Sequence, residues 1–577
     1  MKKRIYLCLL LCLAVLLSAC QPAADSGNIP TDPNGGGDAV AENVEIVKSD
    51  ISAMSFTYSN RDLDPTYNSE AVTMIRFSQS GCQVVGGGAS AQGTALTITK
   101  EGVYQITGSS TDASITVRAN ETDKVQLVFK GVDLTNPKGP ALLISSADKV
   151  FITLAEDSVN SLSDGTTYIA SDGGSALDAA LFSKADLTVN GSGSLSVNGN
   201  FKHGIVSKDD LMITGGALTV QADNVGLCGK DCVKIGGGSL TVSAGTDGIR
   251  SDHDTDPTRG YIYISGGVLD ITAQNDAFQA ETVIRIDGGE ICAKTGGGSD
   301  AELTQEKSAK GLKAGADLLI ADGVLEMDTA DDALHAGNTV VISGGRAKLA
   351  SGNDAVHADT DLEISGGRLE VEKCYEGLES GDILISGGEI LITASDDGIN
   401  ASHESDDRAG MLISGGYLCI YAMGDGIDVN GRLDVTGGVT LISAADSTKQ
   451  CIEYASTAVI TGGVLLAVGN ADAPNGFENT ANQSAIVGKI SAQDAGLAVS
   501  LCDAEGKVIV SFAPCTEYST LLLSAPALKK SGSYTLMAGG SVAGADANGY
   551  AADTTLEGAQ TLAEITMQSH IYILSLS

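Results

Sequence analysis

The chain has 577 residues, with 72 glycines, ten prolines, no tryptophan and only 4% aromatic residues. Glycine without a Gly-X-Y period excludes collagen, and 43% hydrophobic residues allow a large core built from Ile, Val, Leu and Ala, a strand-forming set. A formal charge of −38, from 73 acidic and 35 basic residues, repels phosphate backbones and excludes nucleic acid as a partner.

Met1-Lys2-Lys3-Arg4 is a basic start, and the apolar run 5–17 is too short for the roughly 20 residues of a spanning helix, so residues 1–19 read as a secretory signal. Leu17-Ser18-Ala19-Cys20 resembles the lipobox of bacterial lipoproteins, where cleavage precedes the cysteine and a diacylglyceryl group joins its sulfur. The resemblance implies lipidation at Cys20 and a protein held outside the bacterial cell membrane, touching it only through the lipid. Residues 20–41, rich in Gly, Pro, Asp and Ala, read as a flexible linker, and 42–84 lead into the first coil. The cysteines from Cys82 to Cys515 are odd in number and scattered, which is no disulfide framework.

From residue 85 to 483 short alternating apolar runs are punctuated by glycine. A signature recurs, mostly every 22 residues: strand, Gly-Gly, strand, as in DLMITGGALTV, DLEISGGRLEV, DILISGGEILI and RLDVTGGVTLI, with Asp322 and Gly323 as a variant. Each pair is followed by an acid-small-aliphatic triplet such as Asp247-Gly248-Ile249, Asp332-Ala333-Leu334 or Asp425-Gly426-Ile427. Three short period-2 strands per 22-residue module predict an all-β, right-handed parallel β-helix, with the Gly-Gly pair at a sharp corner and insertions in polar loops. Residues 484–577 lose the signature; LAVSLCDAEGKVIVSF reads as a hairpin, and the segment as a small β-rich cap over an otherwise exposed sheet edge.

Equivalent residues of successive coils stack in columns. One holds Asp247, Asp276, Lys310, Asp332, Asp354, Glu376, Asp397 and Asp425; three residues on lie Lys313, His335, His357, Glu379 and Asn400; one residue before the acid lie Asp331, Asn353 and Asp396. Carboxylates about 5 Å apart repel by ~3 kcal/mol per pair at an effective dielectric near 20. Calcium, which takes six to eight oxygen ligands, relieves that repulsion, and Asp247, Asp276, Asp331, Asp332, Asn353, Asp354, Asp396, Asp397 and Asp425 are its candidate ligands. Asx-turns facing water are the alternative use of the same residues. His335, His357, Glu376, Glu379 and Asn400 are candidate glycan-binding residues. No catalytic residue is assigned; Lys310 and Lys313 are the outside candidates for removing a proton α to a uronate carboxylate.

The runs KVFITLAEDSVNSLSDG, LFSKADLTVNGSGSLSVNGNFKHGIVSKDDLMITGGALTV and AGTDGIRSD resemble the clostridial family of secreted β-helix carbohydrate-binding domains, over roughly residues 85–575. The resemblance implies a right-handed parallel β-helix shaped like pectate-lyase-type enzymes, bound calcium, and binding of cellulose or pectin-type acid sugars. Crystalline cellulose is usually held by planar aromatics; here there is no tryptophan and only sparse tyrosines, among them Tyr261, Tyr263, Tyr375, Tyr417 and Tyr421. The expectation is a monomeric, non-catalytic, calcium-containing surface lipoprotein that binds polysaccharide. A calcium-dependent polysaccharide lyase and a structural surface protein or adhesin are the alternatives.

Overall fold

A computed structural model describes residues 49–168, 177–303, 307–403, 409–478 and 482–576. The expected signal, Cys20 and the linker lie outside the described residues. The described chain is nearly all β, with about 15 turns of parallel β-helix spanning residues 102–468.

A representative coil has three strands, Asp210–Ile213, Ala217–Ala222 and Leu227–Gly229, and the next coil repeats them as Cys232–Ile235, Ser239–Ala244 and Ile249–Ser251. Each strand pairs in parallel with its counterpart, Leu211 with Val233, Leu218 with Leu240 and Leu227 with Ile249, giving three ladders that run the length of the helix. Alternation decides what is buried. In the second strand Leu218 and Val220 point inward, while in the three-residue third strand the two end residues face the core and the middle one faces out. Like then stacks on like: Ile264, Ile286, Ile320, Ile342, Ile364, Ile385, Ile413, Val435 and Ile460 form one continuous internal column. Each such side chain stabilises the fold by ~1.5–3 kcal/mol.

The Gly-Gly corner divides its labour: the second glycine takes positive φ, from 76° to 113° between Gly216 and Gly463. In three coils, Tyr261–Ala273, Val283–Thr295 and Asp317–Thr329, the first and second strands run on through the corner as one bent strand. The insertions fall between ladders, as the repeat predicted.

Both ends are closed. Val72–Ser78 pairs in parallel with Gly102–Ser110 and antiparallel with Gly81–Val85, so parallel pairing reaches upstream of residue 85. Residues 49–71 form a strap along the outer face of the first ladder. Met54 packs with Tyr261, Tyr263 and Val283; Lys234 Nζ donates to the carbonyls of Ser55 and Thr57; Asp62 sits against Lys149 and Thr188. At the other end Tyr518–Ser524 pairs antiparallel with Val464–Gly469, the last strand of the second ladder. A five-stranded antiparallel sheet that includes the hairpin Val499–Cys502 and Val508–Phe512 then packs on Leu441, Leu466 and Val468, forming a second core. Pairing by Tyr518–Ser524 covers the edge of the second ladder, and the five-stranded sheet covers that ladder's outer face.

Candidate functional site

The site grows from the turn between the second and third strands. In each coil the small residue after the acid donates its N–H to the carbonyl of the acid position one coil on. Gly248 bonds Asp276, Gly311 bonds Asp332, Ala333 bonds Asp354, Ala355 bonds Glu376, Gly377 bonds Asp397 and Gly398 bonds Asp425, all at 2.9–3.1 Å. This backbone ladder stacks the acids, and Asp247, Asp276, Asp332, Asp354, Asp397 and Asp425 are all buried. The outward middle residues of the third ladder follow in strict register: Arg250, Gln279, Lys313, His335, His357, Glu379, Asn400, Asp428 and Glu453. The result is a ledge of charged side chains parallel to the helix axis.

Charge along the ledge is uneven. Towards the N-terminal coils every acid has a partner. Asp247 meets Arg250 at 3.4 Å, and Asp276 accepts from Ser308 Oγ at 2.6 Å, from the Lys310 N–H at 2.8 Å and from Lys313 Nζ at 3.4 Å. Asp332 takes Lys310 Nζ at 2.5 Å, Asn353 Nδ2 at 2.8 Å and His335 Nδ1 at 2.9 Å. Burial disfavours its charge, but these partners hold the carboxyl well below its ordinary range. In the middle, the stacked rings of His335 and His357 have centroids 4.9 Å apart. Beside them Asp354 is pushed up to about 7 by burial and by the charges of Asp332 and Glu379, although its bond to His357 works the other way. Towards the C-terminal coils acids outnumber cations. Burial, with the charges of Glu379, Asp397 and Asp396, lifts Glu376 to about 7 against its bond from Asn400; burial with Asp397, Asp425 and Glu453 lifts Asp428 to about 6. Lys449 reaches in with Nζ 3.0 Å from Asp425 and 3.3 Å from Asp397. Asp397, Asp425 and Asp428 each bring an oxygen within 4.8 Å of the others, an all-oxygen set suited to a hard cation.

A family model for carbohydrate-binding domain-containing proteins matches residues 92–355 and 350–496, which takes in the whole ledge. The chain belongs to that family. A carbohydrate-binding domain-containing protein of Acetivibrio thermocellus is 40% identical over 126 residues, 22% of this chain and 44% of the relative, so the chain matches less than half of that relative's length. The solved structure of a polysaccharide lyase-like protein from C. thermocellum, a gadolinium derivative, is 29% identical and covers 51% of this chain and 96% of its own, with a TM-score of 0.37.

In this member of the carbohydrate-binding family, Asp331 joins Asp332 around Lys310, with Nζ 3.1 Å from its carboxylate, and Asn353 bonds both Asp332 and Asp354. Asp396 lies 3.9 Å from Lys449. Lys310 and Lys313 are ion-pair partners of the ledge. Burial opposes the charge of Lys310, yet Asp332 and Asp331 raise its pKa above the ordinary value, so it stays an ammonium and is a poor base. The tyrosines offer little flat surface. Tyr261 and Tyr263 are buried against Phe56 of the strap, Tyr417 packs edge-on against Tyr550 of the cap, and Tyr375 lies exposed on the ledge.

Two clusters were not found by reading columns of acids. Asp359 accepts from His357 Nε2 at 3.0 Å, signalled only by its place two residues on in the third strand. Asp186, Asp209 and Asp210 converge on the first ladder, where burial with the charges of Asp210 and Asp209 lifts Asp186 to about 6 and burial with Asp231 and Asp210 lifts Asp209 to about 6; the repeated SKAD and SKDD were their sequence sign. A groove of about 750 Å³ lies on a different wall of the helix, lined by Asp361, Glu363, Asp382, Arg432 and Asp434 of the first ladder.

Proposed function

We propose that the chain binds an acidic, pectin-type polysaccharide along the ledge without cleaving it, with calcium at its C-terminal half, and that lipid on Cys20 tethers it to the outside of a bacterial membrane. Family membership supports carbohydrate as the ligand class. The observation that carries the finer reading is the unbalanced run Glu376, Asp396, Asp397, Asp425, Asp428 and Glu453, whose main counter-charge is Lys449. Burial and neighbouring acids raise Glu376, Asp397 and Asp428, and carboxylates so placed gain most from a divalent ion. Asp397, Asp425 and Asp428 would hold it, and calcium there would screen the ledge and bridge to uronate carboxylates of the polymer. Asn400 and Glu376 then border the ion with neutral and acidic hydrogen-bonding groups for sugar hydroxyls. Buried tyrosines argue against a flat cellulose surface as the ligand, and the protonated Lys310 argues against β-elimination.

The test mixes the intact chain with polygalacturonate or cellulose, in calcium or in chelator, and reads both co-sedimentation and the ultraviolet absorbance of unsaturated uronate ends. Saturable, calcium-dependent retention on polygalacturonate without new absorbance is expected, and Asp428→Asn should weaken it at least about tenfold by removing one charged oxygen ligand. Retention on neither polymer would leave a structural surface protein as the better description. Rising absorbance would mean a lyase.

A further inference from the structure

Midway along the ledge the chemistry changes from oxygen alone to nitrogen and oxygen. His357 Nδ1 faces two carboxylates at once, Glu379 Oε2 at 2.6 Å and Asp354 Oδ2 at 3.5 Å. One N–H can satisfy one of them well and leaves the other crowded against it. The opposite ring nitrogen, Nε2, is already committed to Asp359 at 3.0 Å. A carboxylate on the far nitrogen is what orients a metal-ligating histidine and makes its free nitrogen more basic. The three facing atoms lie within 4.8 Å of one another, and the donors of a tetrahedral zinc-class ion stand roughly 3.3 Å apart.

From this geometry we infer that Asp354, His357 and Glu379 form a site for a divalent transition-metal ion of the zinc class, separate from the all-oxygen set at Asp397, Asp425 and Asp428. Imidazole selects such ions over calcium, which prefers oxygen. The ion replaces the hydrogen bond between His357 Nδ1 and Glu379, releasing its proton to solvent, satisfies both carboxylates, and leaves a coordination position for water or ligand. His357 and Glu379 also line a polar groove of about 460 Å³ with Asp359, Ser402, His403 and Asn430, while Asp354 lies buried behind them. Register holds the three residues in place independently of any ion, since Asp354 sits in the buried acid column and His357 and Glu379 are hydrogen-bonded neighbours of the third ladder. The neighbouring Asp332 is already engaged by Lys310, His335 and Asn353.

The test titrates the intact, tag-free, metal-free chain with Zn²⁺ by calorimetry and with Co²⁺ by its visible absorption, with circular dichroism of each variant as the folding control. One equivalent is expected to bind, with a tetrahedral cobalt spectrum. Both His357→Ala and Glu379→Gln should weaken it at least about tenfold, and Asp359→Asn should do so by about 10- to 100-fold through loss of the orienting carboxylate. Asp397→Asn should leave it unchanged. The inference is overturned if the wild-type chain takes up no equivalent, if Glu379→Gln and whichever other variants fold bind as tightly as wild type, or if Asp397→Asn weakens binding as much as they do.

Discussion

Replacing Asp62 by Ala should destabilise the folded chain by about 3–5 kcal/mol, the cost of stripping one partner from a buried ion pair. Asp62 belongs to the one-turn helix Asn60–Leu63 of the strap, which Ser59 caps by a reciprocal box. Its carboxylate is 1% exposed and accepts from Lys149 Nζ at 2.8 Å, Thr188 Oγ1 at 2.7 Å and Ser59 Oγ at 2.6 Å. Lys149 is itself buried, and its other carboxylate, Asp186, stands 4.0 Å away, so truncation leaves an ammonium nearly alone beneath the strap. The effect has a defined pH window. Burial opposes the charge of Asp62, but the bonds from Lys149, Ser59 and Thr188 prevail and bring its pKa from 3.8 down to about 2. A lowered folded pKa means the stabilisation is full above the unfolded value and disappears as pH falls through the folded one. Denaturant midpoints and amide exchange of residues 49–71 should therefore separate wild type from Asp62→Ala at pH 7 and converge near pH 2. Equal exchange at pH 7 would mean that the packing of Met54 and Phe56 and the bonds from Lys234 to Ser55 and Thr57 hold the strap down without Asp62.

The coil was legible because two periodicities coincide. Alternation by two sets which side chains face in, and the 22-residue module sets which residues stack, so the columns of Asp332, Asp354 and Asp397 and of His335, His357 and Glu379 could be written from the sequence and are those of the backbone register. How the ledge is neutralised was less legible. Lys449 is written in the column before the acids, but its four-carbon stem carries the charge across to Asp425 and Asp397, a reach that register does not specify. The strap shows the same limit. Met54, Phe56 and Tyr58 alternate visibly, yet nothing local says that their partners are Tyr261 and Tyr263, some 200 residues on. In the cap, the hairpin at 499–512 followed from its turn, where Asp503 accepts from the N–H groups of Glu505 and Lys507. The return of Tyr518–Ser524 to close the second ladder is a long-range pairing with no repeat to announce it.

Gly438→Ala should cost about 2–5 kcal/mol although it adds a single methyl group. Gly438 has φ 78°, a conformation that costs an L-residue ~1–2 kcal/mol. A Cβ there would also lie 2.7 Å from the carbonyl oxygen of Gly415, 2.8 Å from its carbonyl carbon and 2.8 Å from the oxygen of Gly416. All three are backbone atoms of the preceding coil, so no rotamer change relieves the clash, and forcing the corner apart adds ~1–3 kcal/mol. The Asp322 and Gly323 variant fits this division, because the side chain appears at the first position of the pair while the second keeps φ 113° and remains glycine. Gly506, in the hairpin turn of the cap, has φ 84° and no atom within 4 Å of an added Cβ, so Gly506→Ala carries the conformational cost alone. The difference between the two denaturation midpoints then isolates the contact between coils. Gly438→Ala should be the more damaging by about 1–3 kcal/mol. Equal effects would mean that corner glycines are needed for their dihedral angle only, and that the coil spacing, which also sets the separation of the acids on the ledge, is held by the hydrogen-bonded ladders without them.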